Sequence, residues 1–251
     1  MTRDDLGEAL DLASPPRRIV SLVPSLTEAV ASVDVSLLAG ATDYCTHPAS
    51  LDVPRVGGSK YPSVDAVLDI APDLVLANVE ENRREDIDAI RAAGVPVWVT
   101  YPRTLDEAFA SLRRMFDAMG VTEPPWLRVA ESAWAPAPAF IARRALVPVW
   151  RRPWVVLGSD TFAGDVLRRL GVEHLYADAV DRYPRPTLDE LRAAEPDLLV
   201  LPDEPYAFTD TDGPEAFPGV PYALVSGRHL TWYGPSLAEA RDVLTAQLRS
   251  A

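Results

Sequence analysis

Apolar residues in this chain come in short runs that alternate with amphipathic stretches. Arg18-Ile19-Val20-Ser21-Leu22 reads as a buried strand, and Ser25-Leu26-Thr27-Glu28 reads as a capping box opening a helix, Ser25 and Glu28 each satisfying the other's end. The unit recurs. Leu74-Val75-Leu76-Ala77 precedes a helix near 83–93, and the strand Val95-Pro96-Val97-Trp98-Val99-Thr100 precedes a helix opened by Thr104 and Glu107. A second series begins at Trp154-Val155-Val156-Leu157, continues through Leu198-Leu199-Val200-Leu201, and ends in a helix capped by Ser236 and Glu239. Strands alternating with helices predict an α/β fold whose parallel sheets carry helices on both faces.

The stretch 104–150 lacks that alternation and reads as helix, from Leu105 to Met119 and again from about Trp126 to Val147. Pro136 and Pro138 interrupt the second part, where an interior proline removes a backbone hydrogen bond and forces a kink. The predicted organisation is an amino-terminal α/β lobe over 1–103, a helical segment with a bridging helix over 104–150, and a carboxy-terminal α/β lobe over 151–251. One internal repeat supports two lobes. Pro62-Ser63-Val64-Asp65 through Pro72-Asp73-Leu74-Val75 matches Pro186-Thr187-Leu188-Asp189 through Pro196-Asp197-Leu198-Leu199 at a constant offset of 124 residues. The plainer reading is that both segments use generic punctuation before a helix and a strand.

Composition narrows the classes. The 37 acidic and 24 basic side chains of the 251 residues leave a net charge of −13, which opposes nucleic acid and anionic membranes as partners. Only Lys60 among the basic residues is a lysine. The single cysteine, Cys45, excludes an internal disulfide and a Cys-rich zinc site. The first residues form no apolar run of signal-peptide length, and no later run approaches the ~18 residues of a membrane span, so the sequence as it stands predicts a soluble, cytoplasmic protein, or an extracytoplasmic one if a leader is missing from the chain.

In open parallel sheets, ligands bind beyond the carboxyl ends of the strands. The segments there are aromatic: Tyr44, Tyr61, Tyr101, Phe162, Tyr206, Phe208, Trp232 and Tyr233. They suit a flat, largely apolar ligand, or else cover core edges. Asn78 and Asn82, the only asparagines, bracket Glu80 and Glu81 after one strand, while Asp203 and Glu204 hold the equivalent place in the second repeat. These groups either orient a ligand bearing amides or amines or serve as helix caps. Arg103 and Arg228 are candidate anion contacts, and the backbone around Asp160 opens a helix where an acidic ligand group can dock. Asp43-x-Cys45-x-His47 is a weak metal candidate on the premise that alternate residues of an extended segment point the same way. No phosphate-binding loop, dinucleotide fingerprint, serine elbow or zinc-protease helix is present in the sequence.

Arg18 to Glu28, Asp43-Tyr44 with Pro48, Arg55-Val56-Gly57-Gly58, the strand at 72–76 and Thr231-Trp232-Tyr233 together resemble the vitamin B12 (cobalamin) binding proteins of ABC importers. Those belong to the wider helical-backbone receptors for corrinoids, haem and iron siderophores. The resemblance spans essentially the whole chain and implies two Rossmann-like lobes, rigidly joined by a long helix, that hold a flat cofactor-like molecule in the cleft between them without catalysis. It places Tyr44 against the ligand and Trp232 in a late ligand loop. It makes Asp65 and Asp189, one per lobe, the acids that dock on a permease dimer. Where the cobalamin binders carry an aromatic after Val56, this chain has Ser59-Lys60-Tyr61, which brings Lys60 into the candidate set. The alternative from another class is a cytoplasmic cofactor-handling or metal-dependent enzyme using Asp43, Cys45, His47, Glu80 and Glu81.

Overall fold

The computed structural model describes residues 2–10, 12, 14–135 and 142–251, so Pro136 and Pro138 and the kink expected there lie outside the described residues. The chain divides into two compact units: Met1–Pro102 with Asp106–Arg128 and Tyr233–Pro235, and Arg103–Leu105 with Val129–Trp232 and Ser236–Ala251.

In the first unit a hairpin of β1 (Thr2–Arg3) and β2 (Ala9–Leu10) precedes β3 (Ile19–Ser21), α1 (Pro24–Asp34), β4 (Leu38–Ala41), α2 (Val64–Asp69), β5 (Leu74–Asn78), α3 (Arg84–Ala92) and β6 (Val97–Thr100). The four long-range strands form one sheet in the order β4-β3-β5-β6, every pair parallel. Each residue of β5 and β6 is buried, as a parallel sheet covered on both faces requires. The amino-terminal hairpin shields the sheet's edge: Asp5 N–H donates to the Val99 carbonyl at 3.1 Å and the Asp4 carboxylate accepts the Val99 N–H at 3.2 Å.

Helix α4 (Leu105–Ala118) follows, with Leu105, Ala108, Phe109, Leu112, Met115 and Phe116 as its buried stripe, and α5 (Pro125–Ala133) carries the chain into the second unit. Next come β7 (Arg143–Leu146), β8 (Pro148–Arg151), β9 (Trp154–Val156), α6 (Phe162–Leu170), β10 (Val172–His174), α7 (Leu188–Ala193), β11 (Leu198–Pro202), β12 (Tyr222–Val225), α8 (Gly227–Thr231) and α9 (Leu237–Arg249). The second parallel sheet runs β10-β7-β11-β12. Counted within its own unit, each sheet has the order second, first, third, fourth.

The repeat is therefore architectural. Ser63 and Thr187 cap α2 and α7 through their hydroxyls, and Ala71 (φ 51°) and Glu195 (φ 47°) turn the chain in the left-handed region before Pro72 and Pro196. The following aspartates then tie each third strand to its neighbour. Asp73 accepts the Arg17 and Arg18 N–H groups at 2.8 and 2.9 Å, and Asp197 accepts the Arg144 N–H at 3.3 Å.

Four local expectations change. Helix α1 begins at Pro24 behind an N-cap, Val23, that has no capping side chain, so Ser25 and Glu28 lie inside the helix and form no capping box. The helix expected over 126–147 ends at Ala133, and 143–146 is the first strand of the second sheet. Its sequence, Arg-Arg-Ala-Leu, has too little apolar or β-branched character to announce a strand. The run at 154–157, read as that sheet's first strand, instead pairs antiparallel with β8 in a separate hairpin. Ser236 makes no side-chain cap on α9, and Glu239 lies 3.2 Å from His229 instead.

Leu76, fully buried at the centre of the first sheet, and Val180, fully exposed, set the scale of core against surface. Leu76→Ala is expected to lower unfolding free energy by about 2–5 kcal/mol and Val180→Ala to stay within about 0.5 kcal/mol, both read from urea titration.

Candidate functional site

Beyond the carboxyl ends of β4 and β5, polar side chains hold the first unit's loops. Arg55 laces the segment after β4, donating to the carbonyls of Thr42 and Cys45 at 2.9 Å and of Leu51 at 3.2 Å. Tyr44 stands 65% exposed with its ring against Gly58, where an added Cβ would come 3.4 Å from the ring edge. Tyr61 is 70% exposed, and the Arg83 guanidinium sits 4.7 Å from its ring centre. Lys60 reaches across to donate to the Glu80 carbonyl at 3.3 Å, joining this loop to the one after β5.

The two asparagines are consumed by the scaffold. Asn78 Nδ2 donates to the Thr100 carbonyl and to the Tyr233 hydroxyl at 3.1 and 2.7 Å, while its Oδ1 accepts the Glu80 and Glu81 N–H groups at 2.7 and 3.3 Å. Asn82 accepts the Asn78 N–H at 2.8 Å and donates to the carbonyls of Leu22 and Ser59. Tyr233 is buried, hydrogen-bonds Thr100 Oγ1 at 2.9 Å, and keeps its proton, because burial and then the charge of Glu81 push the phenol up. Both asparagines and Tyr233 thus hold Glu80 and Glu81 in place. Tyr101 is half-buried, its N–H on the Asp5 carboxylate at 2.7 Å.

The metal reading of Asp43, Cys45 and His47 does not survive. Residues 43–44 form a turn, so the three do not share a face: Asp43 is exposed, while Cys45 is buried with its sulfur 3.0 Å from Thr27 Oγ1 and 3.2 Å from Thr42 Oγ1. Burial pushes the thiol's pKa up, which removes thiolate character. His47 Nδ1 lies 3.1 Å from the neighbouring Thr46 hydroxyl. Among the described residues no group of three or more His, Cys, Asp or Glu side chains is arranged to hold a metal ion.

In the second unit, Arg103 and Asp160 pair at 3.2 Å on the rim of a depression of about 450 Å³ that also includes Asp165, Glu173 and His174. Thr161 caps α6, and the buried Asp165 carboxylate accepts the Leu105 N–H at 2.9 Å while pairing with Arg168 and Arg169. Phe162 is buried in the first turn of α6. Tyr206 and Phe208 pack with each other and with Trp150 and Trp154, and the Tyr206 hydroxyl donates to Asp212, so these two aromatics belong to a core edge. A larger hollow of about 670 Å³ near Tyr222 and Ala251 contains none of the expected site residues.

Glu204 follows β11. Burial raises its pKa, the Trp232 indole N–H donates to its carboxylate, and its Oε1 is shielded with no partner. Trp232 is buried, with the Arg228 guanidinium 5.9 Å from its ring centre. Gly227 is required here, since a Cβ would come within 2.2 Å of the Glu204 side chain. Asp65 and Asp189 are both exposed in the first turns of α2 and α7. Sequence reasoning gave no role to Asp165, whose carboxylate accepts the N–H of Leu105 from 60 residues away, a contact that no local pattern signals.

Two α/β units with parallel sheets of identical strand order give this chain a fold shared with solved periplasmic binding proteins. The chain superposes on the periplasmic vitamin B12 binding protein BtuF of Vibrio cholerae with a TM-score of 0.75 at 17% identity, covering 94% of this chain and 98% of that one. It superposes on the periplasmic heme-binding protein RhuT from Roseiflexus sp. RS-1 with a TM-score of 0.76 at 22% identity, covering 93% and 98%. In sequence it is 22% identical over 251 residues to the vitamin B12-binding protein of Pectobacterium carotovorum, covering 93% of this chain and 88% of the relative. It is 21% identical over 199 residues to that of Yersinia pestis, covering 75% and 70%. No family model matches the chain.

His174 yields a pH dependence. Burial holds its imidazole below the ordinary histidine range, outweighing the Leu157 carbonyl and the charges of Asp178 and Glu173, and its Nδ1 has no partner. The unfolded chain takes up a proton below about pH 6.5 that the folded protein excludes, so stability is full above that pH and falls as pH drops through it. The urea midpoint of the wild type is expected to fall between pH 7.5 and 5.5 by more than that of His174→Gln; equal falls would contradict this.

Proposed function

We propose that the chain is a non-enzymatic receptor for a flat, cofactor-like small molecule of the corrinoid, tetrapyrrole or iron-chelate kind, engaged by the loops that follow the parallel strands. The observation that carries this reading is the pair Tyr44 and Tyr61, 65% and 70% exposed, on loops held by the hydrogen bonds of Arg55, Asn78 and Asn82. Exposed aromatic faces on a rigid support suit a planar ligand, because stacking needs no rearrangement of the protein. The likeness to cobalamin- and haem-binding proteins supports the same class. Lys60, Glu80, Glu81 and Tyr101 of the first unit, and Arg103, Asp160 and Glu204 of the second, are the further contacts proposed. Phe162, Tyr206, Trp232, Tyr233 and Asn78 act beneath these contacts as support. The enzyme alternative loses its nucleophile, since Cys45 is buried and its thiol pKa is raised.

Titration with cyanocobalamin and with haemin, followed by visible absorbance and tryptophan fluorescence, tests the reading. At least one is expected to bind, and the double variant Tyr44→Ala, Tyr61→Ala to bind about tenfold more weakly, ~1.4 kcal/mol. Silence with both macrocycles would contradict it.

We further propose that Asp65 and Asp189 dock on an ABC permease. They are exposed acids at the same place in two repeats, which suits the two-fold surface of a permease dimer. Charge reversal of both to Arg is expected to abolish association with permease-containing vesicles while leaving ligand affinity unchanged; retained association would contradict docking.

A further inference from the structure

Resting on the receptor reading, we infer that Arg83 is a positioning residue that makes Tyr61 a fixed platform with one usable face: its guanidinium covers one side of the ring, and the ligand stacks on the other. The Tyr61 side chain is 70% exposed although the Arg83 guanidinium carbon lies 4.7 Å from the ring centre, so the exposure belongs to the side away from Arg83. Every residue of the arrangement belongs to the first unit.

An exposed tyrosine held by nothing samples several rotamers, and a ring that stacks on a ligand gives up that freedom on binding. Tyr61 instead lies against a neighbour that is itself anchored. Arg83 is the N-cap residue of α3, and its Nε and Nη2 donate to the two carboxylate oxygens of Asp86 at 2.9 and 2.8 Å, while Nη1 lies 3.2 Å from Glu85 Oε1. Asp86 is buried, so this two-pronged pair is rooted in the inner side of the helix. With the rim of the guanidinium engaged in its own plane, its flat face is what remains to meet Tyr61.

The backbone that carries Tyr61 is held from the same segment. Asn82 Nδ2 donates to the Ser59 carbonyl at 2.8 Å, Lys60 Nζ donates to the Glu80 carbonyl at 3.3 Å, and an antiparallel bridge between Gly57 and Pro62 closes the turn. Residues 59, 60 and 61 therefore each meet a partner within 80–83. The ligand meets Tyr61 from the side opposite α3 and does not enter between the ring and the helix.

Two measurements on the full chain test this. In the free protein, the ring current of Tyr61 is expected to shift the Arg83 side-chain proton resonances upfield, and Tyr61→Leu, a change at an exposed position, to return them to ordinary values. Resonances that Tyr61→Leu leaves unmoved would overturn the inference. Affinity for cyanocobalamin and for haemin is then compared in the wild type, Arg83→Gln, Tyr61→Leu and the double variant. Arg83→Gln is expected to weaken the macrocycle that binds by about three- to fivefold, and to have no further effect in the Tyr61→Leu background. Equal weakening in both backgrounds would leave Arg83 a purely structural role, overturning the inference while the receptor reading stands. No binding of either macrocycle to the wild type overturns both.

Discussion

The side chain of Asn78 is the interaction on which the first unit's loop architecture depends. It ends the third strand and divides its hydrogen bonds between Thr100 and Tyr233 on one side and the Glu80 and Glu81 amides on the other. Asn82 closes the arrangement by accepting the Asn78 N–H and reaching Ser59 in the loop that leads to Lys60 and Tyr61. A buried amide left half-satisfied is costly, so the whole set forms together or not at all. Loops held this way keep exposed aromatics in fixed positions, the preorganisation that a rigid planar ligand rewards.

The second unit reaches the same topology by different means. Its third strand also ends in a polar segment, but Glu204 is braced by Trp232 and Gly227 rather than by asparagines. A hairpin, β8–β9, joins its aromatics to the core: Trp154 stacks on Phe208, and Trp150 meets Tyr206 edge-on. Two of the aromatics that look like ligand contacts in the sequence are accounted for by that packing.

The α/β class, the strands at 19–21, 74–78 and 198–202, and the repeat were legible because each announces itself locally: an apolar run, a Ser or Thr before a helix, a Pro-Asp before a strand. The strand at 143–146 was not, because half of it is arginine and its place in the sheet comes from pairing with Val172–His174 and Leu198–Leu199, far along the chain. The capping box at Ser25 failed for a local reason, since Pro24 starts the helix behind Val23 as N-cap, two residues before the expected cap. At the site, residue types were readable and roles were not. Tyr44 and Tyr61 are outside, Phe162, Trp232 and Tyr233 inside, and only tertiary burial separates them.

The central claim is that loops at the carboxyl ends of the parallel strands carry the ligand. Amide hydrogen exchange, compared with and without a saturating bound macrocycle, tests it most directly. The account predicts added protection confined to residues 43–61, 78–83 and 203–206, with none in the β8–β9 hairpin or around Tyr222. Protection centred on that hairpin or on the hollow at Tyr222, with the strand-end loops unchanged, would contradict it.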